Sequence, residues 1–160
     1  SQLDESSQVE ENTLRINDSA KEAINSLKES AKKKNIQIQT NLNEAFIKAN
    51  SRLIYEIIYN LIDNAIRYSN NDSSIEVSTY TDIHHAYLKV KDNGIGIPLE
   101  DQNRIFERFY RVDKSNSRAT GGTGLGLSIV KHAVKLSHGT IALESELNKG
   151  STFTVTFPKA

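Results

Sequence analysis

Three polar side chains recur along one predicted helix at spacings that would let them share a ligand. Asn60, Asn64 and Arg67 are four and three residues apart, so they lie on one face of a helix over residues 51–68. Asn is a weak helix former because its amide competes for backbone hydrogen bonds, so two of them in an otherwise apolar helix need a reason. One reading is that the amide oxygens coordinate a hard cation while Arg67 reaches a phosphate. The other is a solvent-facing edge, or a hydrogen bond to a loop.

Asp92 and the glycines that follow it form a second candidate site. Asp92 ends a predicted strand in which Leu88 and Val90 have the same parity, so its carboxylate points to the apolar side of the sheet. A carboxylate there needs a donor. The exocyclic amine of adenine is such a donor, and Gly94 and Gly96 would let a flat ring approach the backbone. The alternative is an acid that closes its own turn.

A second glycine cluster runs into another predicted helix. Gly122, Gly124 and Gly126 come at the start of a helix over residues 124–136. Backbone N–H groups at such a helix start bind anions, and phosphates are the usual ones. The spacing matches neither the dinucleotide-binding fingerprint nor the P-loop, because Leu127 stands where the P-loop needs Lys.

The segment between the two glycine clusters is rich in cations and aromatic residues. It contains Arg104, Phe106, Arg108, Phe109, Tyr110, Arg111, Lys114 and Arg118. Long loops without regular structure are usually functional or disordered. The composition fits a lid whose cations fold over a triphosphate, or else a solvated basic loop.

The composition limits the class of protein. At 160 residues the chain is one compact domain with a sizeable core. Lys plus Arg and Asp plus Glu both number 20, which gives no support for nonspecific nucleic-acid binding. The absence of Cys excludes disulfides, thiolate metal sites and Cys nucleophiles. No apolar run approaches the roughly 18 residues of a membrane span, and none of the four histidines has a metal-like partner spacing.

Helices and strands must position these residues. A first helix over residues 20–34, capped by Ser19, buries a face of small and branched residues. Lys32, Lys33 and Lys34 fall in its last turn and are expected to be solvated. A short helix is expected to begin near Pro98. Its apolar side would consist of Ile105, Phe106 and Phe109.

The strands favour an α+β fold. They are predicted at residues 36–40, 45–48, 74–81, 84–92, 140–144 and 151–157. Because the strands arrive as hairpins with helices between them, without repeated βαβ units, we expect a two-layer α/β sandwich. Three main helices would cover one face of a mixed, mostly antiparallel sheet.

Taken in order, the motifs resemble the N, G1, F and G2 boxes of the catalytic, ATP-binding domain of bacterial sensor histidine kinases. The matching stretches are Asn60-x-x-x-Asn64-Ala65-x-Arg67-Tyr68-Ser69, Asp92-x-Gly94-x-Gly96, Phe106-Glu107-Arg108-Phe109-Tyr110-Arg111 and Gly122-Thr123-Gly124-Leu125-Gly126-Leu127. The resemblance implies the Bergerat fold shared with gyrase B, Hsp90 and MutL. It places the catalytic domain at residues 12–160, with 1–11 as a tail or the remnant of an upstream dimerisation helix.

The resemblance also implies a role for each matching residue. Asp92 would bind the adenine amine, Asn64 would coordinate Mg²⁺ with the help of Asn60, and Arg111 would reach the terminal phosphate. Arg67 and Tyr68 would contact phosphate and ribose, although the family usually has Lys at position 67. The remaining nucleotide-binding positions would be Gly94, Gly96, Ile97, Tyr110, Gly122, Thr123, Gly124, Leu125, Gly126 and Leu127.

The activity that the resemblance implies is transfer of the γ-phosphate of Mg·ATP to a histidine on a separate dimerisation domain. None of the chain's histidines lies in the family's His-Glu/Asp-x-x-x-Pro setting, so the acceptor is expected elsewhere. Related ATPases have Glu at the position of Asn60, and Asn cannot act as a general base, so hydrolysis should be slow. The rival readings are a Bergerat ATPase or serine kinase, and a nucleotide-sensing module without transfer.

The same resemblance implies the partners and the location. The chain would bind ATP and ADP, act on its own dimerisation domain and serve a response regulator indirectly. Neither nucleic acid nor direct membrane contact is expected of this domain. It would lie in the cytoplasm, in a parent protein anchored to the membrane.

Overall fold

The structure is a computed structural model that describes residues 10–110 and 126–160. Its helices are α1 (Ile16–Ser26), α2 (Lys28–Lys33), α3 (Ser51–Tyr68) and α4 (Gly126–Leu136), with a short 3-10 helix at Leu99–Asp101. Its strands are β1 (Asn12–Arg15), β2 (Gln37–Leu42), β3 (Phe46–Ala49), β4 (Ser74–Thr81), β5 (His85–Asp92), β6 (Thr140–Glu146) and β7 (Gly150–Pro158). None of the helices in the described residues is long and apolar enough to cross a membrane.

Five strands form one mixed sheet in the order β2-β4-β5-β7-β6. Only β2 and β4 run parallel, and the other neighbouring strands are antiparallel. Side chains alternate between buried and more exposed along β5 and β7, so one face of the sheet meets the core. The predicted two-layer α+β sandwich with a mostly antiparallel sheet is confirmed. β1 and β3 pair separately as a two-stranded antiparallel ribbon.

The helical layer is centred on α3. Its buried side chains are Ile54, Ile57, Ile58, Leu61, Ile62, Ala65 and Ile66. They recur at helical spacing and pack with the buried faces of α1 and α4 and with one face of the sheet. At the start of α3, the Oδ1 atom of Asn50 accepts hydrogen bonds from the backbone N–H groups of Arg52 and Leu53, at 3.0 and 3.1 Å.

The first helix differs from the prediction. It begins at Ile16 rather than after Ser19, and it is interrupted at Leu27. Its start is fixed by tertiary contacts: Ile16 is fully buried, and its N–H donates to the carbonyl oxygen of Ala45 at 2.9 Å. The expected solvated end is also wrong for Lys34, whose side chain is partly buried.

The segment after Pro98 differs as well. Helical structure there is limited to the 3-10 helix, and turns follow as far as the described chain extends. Ile105 is buried as expected, and Phe106 packs edge to face on Phe153 with ring centroids 6.2 Å apart. Phe109 is 62% exposed and has a φ of +64°, so it does not join this apolar side.

Candidate functional site

A cavity of about 60 Å³ lies where the C-terminal part of α3, the end of β5 and the start of α4 meet. Its lining residues are Asn64, Tyr68, Asp92, Ile95, Gly96, Ile97, Ile105, Tyr110, Leu127 and Ser151. Residues from all four sequence motifs therefore meet at one place. Ile95, Ile105 and Ser151 were not among the predicted site residues.

Asp92 is the buried charge of this cavity. It is 5% exposed, on the apolar side of β5, as its parity predicts. Its Oδ1 atom accepts hydrogen bonds from the N–H groups of Gly94 at 2.9 Å and Ser151 at 3.3 Å. Burial raises the pKa of this carboxyl, and the two backbone hydrogen bonds oppose the rise. Among the described residues no donor pairs with Oδ2, so one carboxylate oxygen is available to a ligand.

The two asparagines of α3 lie in different surroundings. Asn64 lines the cavity, and its side-chain amide makes no hydrogen bond with any described residue. Asn60 lies one turn earlier, in a neighbouring groove between α3 and α4, where its Nδ2 donates to the carbonyl oxygen of Glu56 at 2.7 Å. Its Oδ1 remains unused by the described residues and lies 3.5 Å from the point where a Cβ would stand on Gly126. Both amide oxygens are therefore available beside the start of α4.

The end of α3 carries two further predicted residues. The guanidinium of Arg67 is paired with Asp63, with Nε 3.0 Å from Oδ2. A phosphate contact by Arg67 would have to compete with this carboxylate. The ion pair with Asp63 was not predicted from the sequence. Tyr68 lines the cavity, and its carbonyl oxygen accepts a hydrogen bond from the N–H of Ile95 at 3.2 Å.

The glycines after Asp92 have a different structural reason from the expected one. A Cβ on Gly94 would lie 2.0 Å from the carbonyl oxygen of Tyr68. Gly96 has a φ of +73°, and a Cβ there would lie 2.1 Å from the carbonyl oxygen of Glu146. Both glycines therefore let protein backbone approach protein backbone, which fixes this wall of the cavity against α3 and β6.

A group of polar side chains supports the same wall. Ser145 Oγ accepts a hydrogen bond from the N–H of Ile97 at 2.8 Å and lies 2.8 Å from Ser151 Oγ. Gln102 donates to the carbonyl oxygens of Ile97 and Ser145, at 2.9 and 3.2 Å. Nothing in the sequence marks these residues, because strand pairing and a distant turn bring them together.

Tyr110 forms another side of the cavity. Its hydroxyl donates to Oδ1 of Asp101, which raises the pKa of the Tyr110 phenol. The guanidinium of Arg104 lies over the Tyr110 ring, 4.6 Å from the centroid. These contacts orient the Tyr110 side chain against the cavity.

The remaining predicted residues fall partly outside the described chain. Arg111, Gly122, Thr123, Gly124 and Leu125 lie outside it, whereas Gly126 and Leu127 begin α4. Within residues 10–110 and 126–160, no group of three or more His, Cys, Asp or Glu side chains could hold a metal ion. The side-chain amide oxygens of Asn60 and Asn64 are of the ligand type that hard cations such as Mg²⁺ bind.

Comparison with known proteins identifies the family. The family model described as histidine kinase-, DNA gyrase B-, and HSP90-like ATPase matches residues 49–160. The chain belongs to this family. Its described elements before residue 49, from β1 through most of β3, pair and pack with the matched region.

Individual relatives are histidine kinases. The chain is 40% identical over 148 residues to the signal transduction histidine-protein kinase ArlS of Staphylococcus aureus (strain USA300), covering 92% of this chain. It spans 33% of the length of that relative. The catalytic domain of histidine kinase ThkA superposes with a TM-score of 0.82 at 26% identity, covering 94% of this chain and 97% of that one.

A more distant structure shares the fold. The mycobacterial sensor histidine kinase MprB superposes with a TM-score of 0.80 at 23% identity, covering 94% of this chain and 98% of the other. ArlS and ThkA place the chain among the homologues of sensor histidine kinase catalytic domains, and MprB shows the same fold.

Proposed function

We propose that this chain binds Mg·ATP and donates the γ-phosphate to a histidine on a separate dimerisation domain, within a two-component signalling protein. Asp92 would accept a hydrogen bond from the adenine amine, and Asn64 with Asn60 would supply ligands to Mg²⁺. The catalytic groups would be Asn60, Asn64 and Arg111. Residues 12–160 would form the catalytic domain, located in the cytoplasm, because that is where ATP is supplied.

The observation that carries this proposal is that the two oxygens of the Asp92 carboxylate differ in their hydrogen bonds. Oδ1 is held by two backbone N–H groups, while Oδ2 has no donor among the described residues and belongs to a residue that lines the cavity. Oδ2 therefore faces no competing donor from the described residues, and a ligand in the cavity can donate a charge-assisted hydrogen bond to it. The flanking Ile95, Ile97 and Ile105 offer apolar surface to a flat base.

The amides of α3 fit the metal part of the proposal. Mg²⁺ prefers oxygen ligands and keeps waters and substrate phosphates, so a site with one or two protein oxygens is sufficient. When bound, Mg²⁺ would neutralise charge on the transferring phosphoryl group. The side-chain amide oxygen of Asn64 would bind the metal from the wall of the cavity, and the amide oxygen of Asn60 would bind it from one turn earlier on α3.

Calorimetry with ATP tests nucleotide binding directly. We expect the chain to bind ATP, and Asn64→Ala to weaken binding measured with Mg²⁺ more than binding measured in a chelator. Equal losses in both conditions would reject the metal role of Asn64. Failure of the wild-type chain to bind ATP in either condition would reject the proposal as a whole.

Phosphotransfer requires a second experiment. The chain is mixed with γ-labelled ATP and a separately produced dimerisation domain from the parent protein, and label on histidine is followed. Label on that domain supports the kinase, while steady release of phosphate by the isolated chain favours an ATPase. ATP binding with neither outcome favours a nucleotide-sensing module.

A further inference from the structure

Lys34 is bound inside a cage of backbone carbonyls at the end of α3. Its Nζ donates to the carbonyl oxygens of Ile66 at 2.8 Å, Arg67 at 3.1 Å and Ser69 at 2.6 Å. An ammonium group has three donors, and here each donor has its own acceptor. Burial lowers the pKa of Lys34, which reflects the loss of water around the charge.

The position of the ammonium group follows from the physics of helix ends. The last carbonyls of a helix have no intrahelical partner, and the C-terminus of a helix carries partial negative charge. Lys34 is the residue that follows α2, so the carbonyl groups at the end of α3 receive their hydrogen bonds from a different part of the chain. Its own backbone is held as well, because its carbonyl oxygen accepts a hydrogen bond from the N–H of Asp72 at 2.9 Å.

The caged carbonyls lie on both sides of Tyr68, which lines the nucleotide cavity. Arg67 and Ser69 are its chain neighbours, and both accept from Lys34. The carbonyl oxygen of Tyr68 itself accepts from the N–H of Ile95 at 3.2 Å, and Gly94 approaches the same oxygen closely. The Tyr68 segment is thus held by Lys34 on one side and by the wall after Asp92 on the other.

We propose that Lys34 is a positioning residue of the nucleotide pocket, because its ammonium group fixes the backbone around Tyr68 and thereby the wall formed by Gly94 and Ile95. Lys34 is not among the lining residues of the cavity, so it acts through Tyr68. This inference rests on the proposed nucleotide binding. The sequence alone predicts a solvated side chain for Lys34, as for Lys32 and Lys33, and does not indicate this role.

The test compares Lys34→Met with Lys33→Met, which removes the same charge from the neighbouring exposed position. If the wall stays competent in about a tenth of the Lys34→Met molecules, the Kd for ATP rises about tenfold. Lys33→Met should bind as the wild type does. Lys34→Gln, which keeps donors but no charge, should fall between the two.

Two readouts separate positioning from general destabilisation. Hydrogen exchange of the Ile95 amide should accelerate in Lys34→Met relative to the amide of Val77 in the middle of β4. In Lys34→Ala, propylammonium replaces the missing part of the side chain and should restore ATP affinity. Tetramethylammonium has the same charge but no N–H donor, so it should not.

Each outcome decides the inference. Equal ATP affinity in Lys34→Met and Lys33→Met overturns it, as does equal rescue by tetramethylammonium. Failure of both Lys34→Met and Lys34→Gln to fold also overturns it, since Lys34 would then be a support of the whole core. If the wild type binds no ATP, the proposed function fails, and hydrogen exchange of the Ile95 amide in Lys34→Met alone tests the role of Lys34. Selective acceleration of that exchange supports positioning of the Tyr68 segment by Lys34, and unchanged exchange rejects it.

Discussion

Asp92 shows how one side chain can serve both the fold and a ligand. Its Oδ1 atom joins the end of β5 to the loop that follows and to the start of β7, through Gly94 and Ser151. Its Oδ2 atom has no such task among the described residues. Removing the whole side chain would abolish both the hydrogen bonds of Oδ1 within the fold and the ligand contact of Oδ2. The informative substitution keeps the acceptor at Oδ1 and changes Oδ2.

Asp92→Asn makes that separation. The amide oxygen can still accept from Gly94 and Ser151, while an NH₂ group replaces Oδ2 and opposes the adenine amine with a second donor. A hydrogen bond to a charged group is worth about 1.5–3 kcal/mol, so we expect ATP affinity to fall about 10- to 150-fold by calorimetry. The urea midpoint at pH 7 should not decrease. Unchanged ATP affinity would contradict the adenine contact.

The raised pKa of Asp92 predicts a pH dependence of stability. Between the ordinary value of 3.8 and the raised value in the folded state, the folded chain binds the proton more tightly than the unfolded chain does. The stabilising contribution of the neutral form is therefore complete below 3.8 and is lost as pH rises through the folded pKa. Urea unfolding from acid to neutral pH should show the wild type losing stability relative to Asp92→Asn. Parallel profiles would contradict this.

The residue types of the site follow from the sequence more readily than their partners do. The parity of β5 predicts that Asp92 is buried, and the spacing on α3 predicts that Asn60 and Asn64 share one side. The pairing of Arg67 with Asp63 was not predicted, although the two are four residues apart on one helix. The carbonyl cage of Lys34 depends on tertiary packing, which no local pattern reports.

Helix α3 is the element that carries both asparagines, and its two ends are fixed by side chains. Asn50 caps the start through Oδ1, and its Nδ2 donates to the carbonyl oxygen of Glu10 at 2.8 Å. Asn50→Ala should lower the free energy of unfolding by about 0.5–2 kcal/mol, measured in urea, because the cap is lost. Asn50→Asp keeps the acceptor and should recover most of that loss. Equal losses would show that the contact with Glu10 matters more than the cap.

The glycine positions differ in how much space surrounds them. Gly94→Ala places a Cβ against the Tyr68 carbonyl and should unfold or strongly destabilise the chain, because backbone must move. Gly126→Ala is the matched control, since among the described residues its Cβ would meet just Asn60 Oδ1, at an ordinary van der Waals distance of 3.5 Å. Thermal unfolding of both variants checks the pair. A Gly94→Ala chain as stable as the wild type would contradict this description of the wall.

Elements with strong periodicity were predicted closely, and elements fixed by tertiary contacts were not. α3 and β4 have the predicted bounds because their apolar residues recur at helical and strand spacing. β1 was missed because its four residues are mostly exposed and depend on pairing with β3. The expected helix after Pro98 is reduced to one 3-10 turn, since hydrogen bonds from Gln102 and to Ser145 determine that path.

At the scale of the whole molecule, the cavity is lined by both layers of the sandwich. The end of β5, the C-terminal part of α3 and the start of α4 converge there, and β7 supplies Ser151. The sequence motifs predict one shared site, and described residues from all four motifs line the same cavity. The strand order β2-β4-β5-β7-β6, which sets Asp92 opposite Ser151, follows from pairing that the sequence does not specify.

Because the proposed site joins both layers, nucleotide binding should stabilise the entire domain. At a concentration of 100 times Kd, a ligand adds about 2.7 kcal/mol. For a chain of 160 residues, this corresponds to a rise in Tm of about 5–10 °C. GTP has a carbonyl where adenine has its amine, so it would face Asp92 with an acceptor and should give a much smaller shift. Scanning fluorimetry with both nucleotides, with Asp92→Asn as the control, checks this, and equal shifts for ATP and GTP would contradict base recognition by Asp92.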